Sequence, residues 1–336
     1  MPKVWLPDAA LEHRFAPNVD FTFKNDDGEI VNYRSTPVGA NGVCFRDDGI
    51  DGEVFAVAVG DSFTFGHDTM LDAAWVEQVE KAIGADVVNL GMTNIYGSTQ
   101  IQRTLEIHGM RHRPRLIIWA AYVNDWYEDT IFLSWEAIAR PLKGQFDYPR
   151  STEIYDAMRR HIYIRPPVNP GDEAQNPALG ARVMYEGNGL RLECDATSYA
   201  AQDLRLPSIA RGWASTREAL LRAKALAASI RAEFLVIPIP AKEHVYHERV
   251  CTVLEYARSQ DPAVFCSAYE TFCKENDIRC LNPFKSLSDR GRLGEKLYFT
   301  VDGHFNRAGH TALAELILAY LDSEHLRPAR QSNAPD

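Results

Sequence analysis

Short apolar runs alternate along this chain with stretches in which apolar residues recur every three or four positions. Glu53 to Val59, Asp86 to Leu90, Arg115 to Ala120, Glu233 to Ile239 and Ile278 to Leu281 are the short runs, and they predict strands. Ala73 to Ile83, Thr99 to Gly109, Ser215 to Ala232, Pro262 to Asn276 and Arg307 to Leu321 carry the helical period. Strands alternating with helices predict a parallel sheet covered on both faces, a three-layer α/β/α sandwich.

Two regions break the alternation. Residues 1–50 are polar and rich in turn formers, with Gly39-Ala40-Asn41-Gly42 just before the first long apolar run, and they predict an N-terminal arm laid across the domain. Residues at about 126–211 are rich in aromatics, prolines and arginines, with a hairpin signal at Glu186-Gly187-Asn188-Gly189. An irregular insertion of that length is uncommon without a function, and a cap over the site is the expectation. The tail, 326–336, reads as disordered.

Composition narrows the classes. The 336 residues are 46% hydrophobic and 24% charged, an ordinary globular balance that fits one large α/β domain with insertions. A net charge of -10 argues against nucleic acid or anionic membranes as partners, because both would be repelled. No apolar run reaches the ~18 residues of a membrane span, and Met1 to Asp8 lacks the apolar region of a signal peptide. A cytoplasmic location is the expectation, and the six scattered cysteines fit reduced thiols, with Cys273 and Cys280 able to bridge only if the protein is exported. Oligomeric state has no signature in the sequence.

The chemistry lies in two distant segments. Gly60-Asp61-Ser62-Phe63-Thr64-Phe65-Gly66 follows the first strand, and Asp302-Gly303-His304 precedes the last helix. A serine hydroxyl needs a base at its proton, and that base needs an acceptor on its second nitrogen. Histidine, with an ordinary pKa near ~6.5, suits the base. The developing oxyanion then needs fixed donors. His108 and His112 stand four apart but no third ligand completes a zinc motif, so they are expected on a solvated face. His310 is expected to be a helix residue, and Lys242 and His244 to lie in a solvated loop near the site.

Four blocks together resemble the SGNH (GDSL-type) hydrolase family, including its polysaccharide acetylesterase and acetyltransferase members. The Gly60-Asp61-Ser62 run is similar to the first block, Val88 to Gln100 to the second, Ala121-Tyr122-Val123-Asn124-Asp125 to the third, and Tyr298 to His310 to the fourth. The resemblance implies a flavodoxin-like topology, Ser62 as nucleophile, Asp302 as orienter and His304 as base. It implies oxyanion donors from the Ser62 N–H, the Asn124 amide, and a main-chain N–H of Asn94 or Gly97. The family usually has glycine where Asn94 stands, and the third block lacks its glycine. The two-residue spacing of Asp302 and His304 is similar to the polysaccharide-acetylation members. The implied organisation is an arm over 1–50, a hydrolase domain over 51–325 and a tail over 326–336.

The expected activity is hydrolysis of a short acyl ester, such as acetyl on a carbohydrate or small alcohol, through an acyl-serine, with no metal or organic cofactor. An O-acetyltransferase acting on a polysaccharide and a catalytically silent carbohydrate-binding module are the alternatives. An α/β-hydrolase is disfavoured, because Thr64 stands where the second glycine of its elbow belongs.

Overall fold

The computed structural model describes residues 4–93, 95–139 and 182–328. Two hairpins open the chain: β1 (Trp5–Asp8) pairs with β2 (Glu12–Phe15), and β3 (Asp20–Lys24) with β4 (Ile30–Arg34). The sheet strands are β5 (Val54–Gly60), β6 (Asp86–Asn89), β7 (Leu116–Tyr122), β10 (Glu233–Ile239) and β11 (Arg279–Cys280), and β8 (Val183–Gly187) with β9 (Leu190–Cys194) forms a third hairpin. In chain order the helices are α1 (Ser62–Phe65), α2 (Trp75–Ile83), α3 (Ser98–Thr104), α4 (Asp125–Ala139), α5 (Thr197–Ala201) and α6 (Pro207–Ile230). They continue with α7 (Lys242–Val245), α8 (His247–Val253), α9 (Val264–Glu275), α10 (Phe284–Arg292) and α11 (Arg307–Ser323).

The central sheet is parallel throughout, in the order β6-β5-β7-β10-β11. Every residue of β5 is buried, which its sequence Val-Phe-Ala-Val-Ala-Val-Gly makes possible on both faces at once. Alternate side chains feed two cores. Val57, Val59, Ile117, Trp119 and Val236 pack with α3, α6, α9 and the N-terminal hairpins, while Ala56, Ala58, Ile118, Leu235 and Ile237 pack with α2, α11 and the third hairpin.

Numbered within the sheet alone, this order is 2-1-3-4-5, the flavodoxin-like arrangement. The chain leaves β5 to one side for β6 and returns on the other for β7. The crevice outside the C-terminal ends of β5 and β7 is therefore the switch point at which such sheets bind ligands. Gly60 pairs with Ala120 and Tyr122 with Ile239, so the residues following these three strands emerge at one edge.

The N-terminal segment is more than a covering. Phe15, Val31, Tyr33 and Phe45 are core residues, and Arg46, fully buried, donates to the carbonyls of Asn32, Phe65, Gly66 and Thr69. Of the expected cap over 126–211, the described parts belong to the body of the domain. Trp126 and Ile131 on α4, Leu192 on β9 and Tyr199 on α5 are completely buried, because their apolar faces are needed to cover the sheet. Residues 140–181 lie outside the described residues, as do 329–336 of the tail. Among the described residues, no helix is long and apolar enough to cross a membrane. All six cysteines are free thiols.

Candidate active site

β5 hands the chain directly to α1, which sets Ser62 at the C-terminal edge of the sheet. Only glycine fits at the last position of β5, Gly60. A Cβ on Gly60 would lie 2.2 Å from Thr64 Oγ1 and 2.6 Å from the Ala120 carbonyl. Asp61, rather than Ser62, caps the helix, its carboxylate accepting the Phe63 N–H at 3.0 Å. The serine hydroxyl is thus free of capping, and the Ser62 N–H stands at the first helical position, where no intrahelical acceptor exists.

Ser62 Oγ lies 2.7 Å from His304 Nε2, and His304 Nδ1 lies 2.5 Å from Asp302 Oδ1, which also accepts the His304 main-chain N–H at 2.8 Å. The imidazole rests against the Phe63 ring at 5.0 Å between centroids. Burial alone would depress the His304 pKa and raise that of Asp302. Their mutual attraction reverses both, holding the imidazole above its ordinary 6.5 and the carboxyl far below its ordinary 3.8. Asp61, buried and 3.3 Å from Ser62 Oγ, is pushed up to about 6.

Asn124 begins the turn from β7 into α4, its carbonyl accepting the N–H groups of Tyr127 and Glu128. Its Nδ2 donates to Glu128 Oε1 at 2.9 Å, while Glu128 Oε2 accepts the Tyr96 N–H at 2.8 Å. One carboxylate therefore ties the loop after β7 to the loop after β6. The i, i+4 spacing from Asn124 to Glu128 at the start of α4 brings the two side chains onto one face of the helix.

The loop after β6 is braced twice more. Asn89 Nδ2 donates to the Thr64 carbonyl and its Oδ1 accepts the Gly91 N–H, each at 3.0 Å. From the N-terminal hairpin, buried His13 puts Nε2 2.9 Å from the Thr93 carbonyl and Nδ1 against Glu12. Burial opposes charge on His13, but Glu12 and the carbonyl outweigh it and raise its pKa. Asn94 lies outside the described residues. Its neighbour Ile95 has φ 72°, a rare conformation for a β-branched residue. The N–H of Gly97, the other candidate donor, is bonded to Gln100 Oε1 at 3.1 Å at the start of α3.

Two expectations are overturned. Lys242 and His244 are buried, not solvated. The three protons of the Lys242 ammonium find the carbonyls of Thr300, Val301 and Asp302 at 3.3, 3.1 and 3.1 Å, which satisfies a charge the sequence alone would leave in water. His108 and His112 are not a solvated pair either. His108 Nδ1 accepts the Ala40 N–H at 3.0 Å and His112 Nε2 lies 2.9 Å from the Val38 carbonyl, so they fasten the N-terminal segment, and burial lowers His108 to about 4. His310 is a helix residue as expected, buried in α11 with Nδ1 accepting the Trp75 N–H at 3.3 Å.

Fold and site together define an α/β protein with a Ser-His-Asp constellation at the switch point of its sheet. No family model and no curated protein matches the sequence. Solved structures do resemble it. A protein assigned to the lipolytic G-D-S-L family, from Desulfitobacterium hafniense, is 13% identical with a TM-score of 0.42, over 78% of this chain and 96% of its own. A lipase/acylhydrolase from Enterococcus faecalis is 14% identical with a TM-score of 0.39, over 80% and 95%. An acetyl xylan esterase, AlAXEase, is 8% identical with a TM-score of 0.42, over 79% and 98%. At these values the likeness adds nothing to what the chain's own topology establishes.

Proposed function

We propose that the chain is a serine esterase of the SGNH type that hydrolyses a short acyl ester of a carbohydrate or small alcohol. The observation that supports this reading is the unbroken relay from Ser62 Oγ through His304 to Asp302. Ser62 Oγ attacks the ester carbonyl carbon while its proton passes to His304 Nε2. Asp302 keeps the Nδ1 proton in place and stays ionised. The oxyanion is held by the Ser62 N–H and the second Nδ2 proton of Asn124, with a main-chain N–H at Asn94 as the third donor. The tetrahedral intermediate collapses, His304 returns its proton to the leaving alcohol, and an acyl-serine remains. Water, activated by the same imidazole, releases the acid.

A sugar hydroxyl in place of that water would make the same chain an O-acetyltransferase, the reading favoured by the two-residue spacing of Asp302 and His304. Hydrolysis of p-nitrophenyl acetate by wild type and by Ser62→Ala, with and without an oligosaccharide acceptor, tests both. Loss of about a thousandfold or more in the variant is expected. Retained activity removes the nucleophile, and ester formed on the acceptor selects the transferase.

A further inference from the structure

Where the strap that enters β5, residues 47–52, runs past helix α2 and the edge strand β6, five carboxylates crowd together: Asp47, Asp48, Glu77, Glu80 and Asp86. Three of them have main-chain donors. Asp47 accepts the N–H groups of Gly49 and Asn89 at 2.8 and 2.7 Å, while Asp86 accepts that of Gly52 and Glu80 that of Val87, each at 2.7 Å. Glu77 has no such support. Its side chain is 6% exposed, and neither of its carboxylate oxygens has a hydrogen-bond donor. The polar group that faces it is the Asp48 carboxylate, an acceptor like itself. Two acceptors in contact need a proton or a cation between them. Arg46, a buried cation whose charge reaches Glu77, is committed to the carbonyls of Asn32, Phe65, Gly66 and Thr69.

The oxygens are also spaced for an ion. One from each of Asp48, Glu77 and Glu80 lies within 4.8 Å of the others. Oxygens on opposite sides of a Ca²⁺ ion stand about 4.6 to 5.2 Å apart and adjacent ones closer, so three placed in this way can share one ion. Mg²⁺ asks for about 4.0 to 4.2 Å and a rigid octahedron. Glu77 and Glu80, three apart on α2, share one face of the helix, and Asp48 comes to them from the strap. Among the described residues no histidine or cysteine joins the group, and donors that are all carboxylate oxygens select a hard cation over zinc or copper. Asp48 is exposed, which leaves one side of the cluster open to an entering ion and its remaining waters.

We propose that Asp48, Glu77 and Glu80 form a structural Ca²⁺ site, completed by water, that clasps the strap before β5 to helix α2. The site draws on none of the residues of the proposed relay, so it stands whether or not the chain is an esterase. The ion takes the place of the proton that otherwise keeps buried Glu77 neutral, and that proton leaves to solvent. Calcium thereby turns a crowding of like charge, unfavourable by itself, into a tie between two segments separated by about a turn of helix and the whole of β5.

The test strips the full chain with EDTA, removes the chelator and titrates CaCl₂ by calorimetry, with thermal unfolding followed before and after. One calcium ion should bind per chain, with a Kd of about 1 mM or tighter and at least about tenfold more tightly than Mg²⁺. Saturating calcium should raise the unfolding midpoint by about 5 °C or more, where NaCl of equal ionic strength does not. Asp48→Asn changes an exposed side chain and should fold as wild type does, yet bind calcium at least about tenfold more weakly. Glu77→Gln should lose as much affinity. In EDTA at pH 8 it should be the more stable chain, because an amide is easier to bury than a carboxylate, and saturating calcium should reverse that order. A midpoint and a calorimetric trace indifferent to calcium would overturn the site. So would calcium held as tightly by Asp48→Asn and Glu77→Gln as by wild type, or magnesium bound as tightly as calcium.

Discussion

Lys242 Nζ sits 3.1 Å from the main-chain oxygen of Asp302, so a buried ammonium after β10 grips the loop that carries the proposed acid and base. It is a positioning residue, not a participant in proton transfer. Lys242→Met removes the ammonium from the Val301 and Asp302 carbonyls, while the Thr300 carbonyl still accepts the Glu193 N–H, and should lower kcat/KM about tenfold or more. The readout specific to positioning is the acid limb of the pH profile, which should move toward that of free histidine as Asp302 loosens. Lys242→Arg should recover part of the rate. An unchanged profile in an active Lys242→Met would refute the role.

Glu128 joins the two loops expected to supply oxyanion donors, through the Asn124 amide and the Tyr96 N–H. Glu128→Gln replaces one acceptor oxygen by a donor and lets Asn124 swing. Donors that drift by a fraction of an ångström lose stabilisation of the transition state more than of bound substrate. The expected result is a kcat reduced about 10- to 100-fold with KM nearly constant. A change confined to KM would show that the carboxylate serves binding instead.

The pH dependence has a definite sign. A base acts only when neutral, and His304 is raised above 6.5 by Asp302. Activity should therefore climb with pH through an apparent value above 6.5, and Asp302→Asn should shift that limb down while cutting kcat steeply. Stability runs the other way. The raised histidine contributes fully below 6.5 and loses its contribution as pH rises through the folded value, whereas the depressed Asp302 contributes above 3.8 and loses it as pH falls. A rate profile flat from pH 5 to 8 would exclude a histidine base.

Glu77, buried beside Asp47, Asp48 and Glu80, is pushed up to about 10, by burial first and like charge second. Its folded pKa exceeds the unfolded 4.5, so the unfolded chain gains by ionising and stability falls as pH rises across that interval. Glu77→Gln removes the loss. Urea unfolding should find the variant more stable by about 1 kcal/mol or more at pH 8, with a smaller gap at pH 5. An equal difference at both values would exclude titration of Glu77 as the cause.

Strands buried on both faces announce themselves, which is why β10 coincides with its sequence run and β5 is displaced by one residue. The hairpin at Asn188-Gly189 was equally legible, since both residues take the positive φ that a two-residue turn demands. Helix α6 begins at Pro207, eight residues before its apolar period becomes regular, because a proline at the first turn starts a helix without contributing to the pattern. Lys242, His108 and His112 were misread for a common reason. Polar type predicts exposure unless partners exist, and their partners are main-chain carbonyls and amides remote in sequence. His67, five residues after Ser62, carried no pattern at all. Its proximity to His304 is set by the left-handed turn at Gly66.

Ser62 and His304 are 242 positions apart, one leaving the first sheet strand and the other just ahead of the closing helix. A nascent polypeptide emerging from the ribosome would therefore carry an inert hydroxyl through almost its entire synthesis. On the proposed mechanism, competence for turnover arrives in one late step, when the segment around residue 304 docks, and termination between residue 280 and that segment yields a chain with all five sheet strands and no base for its serine.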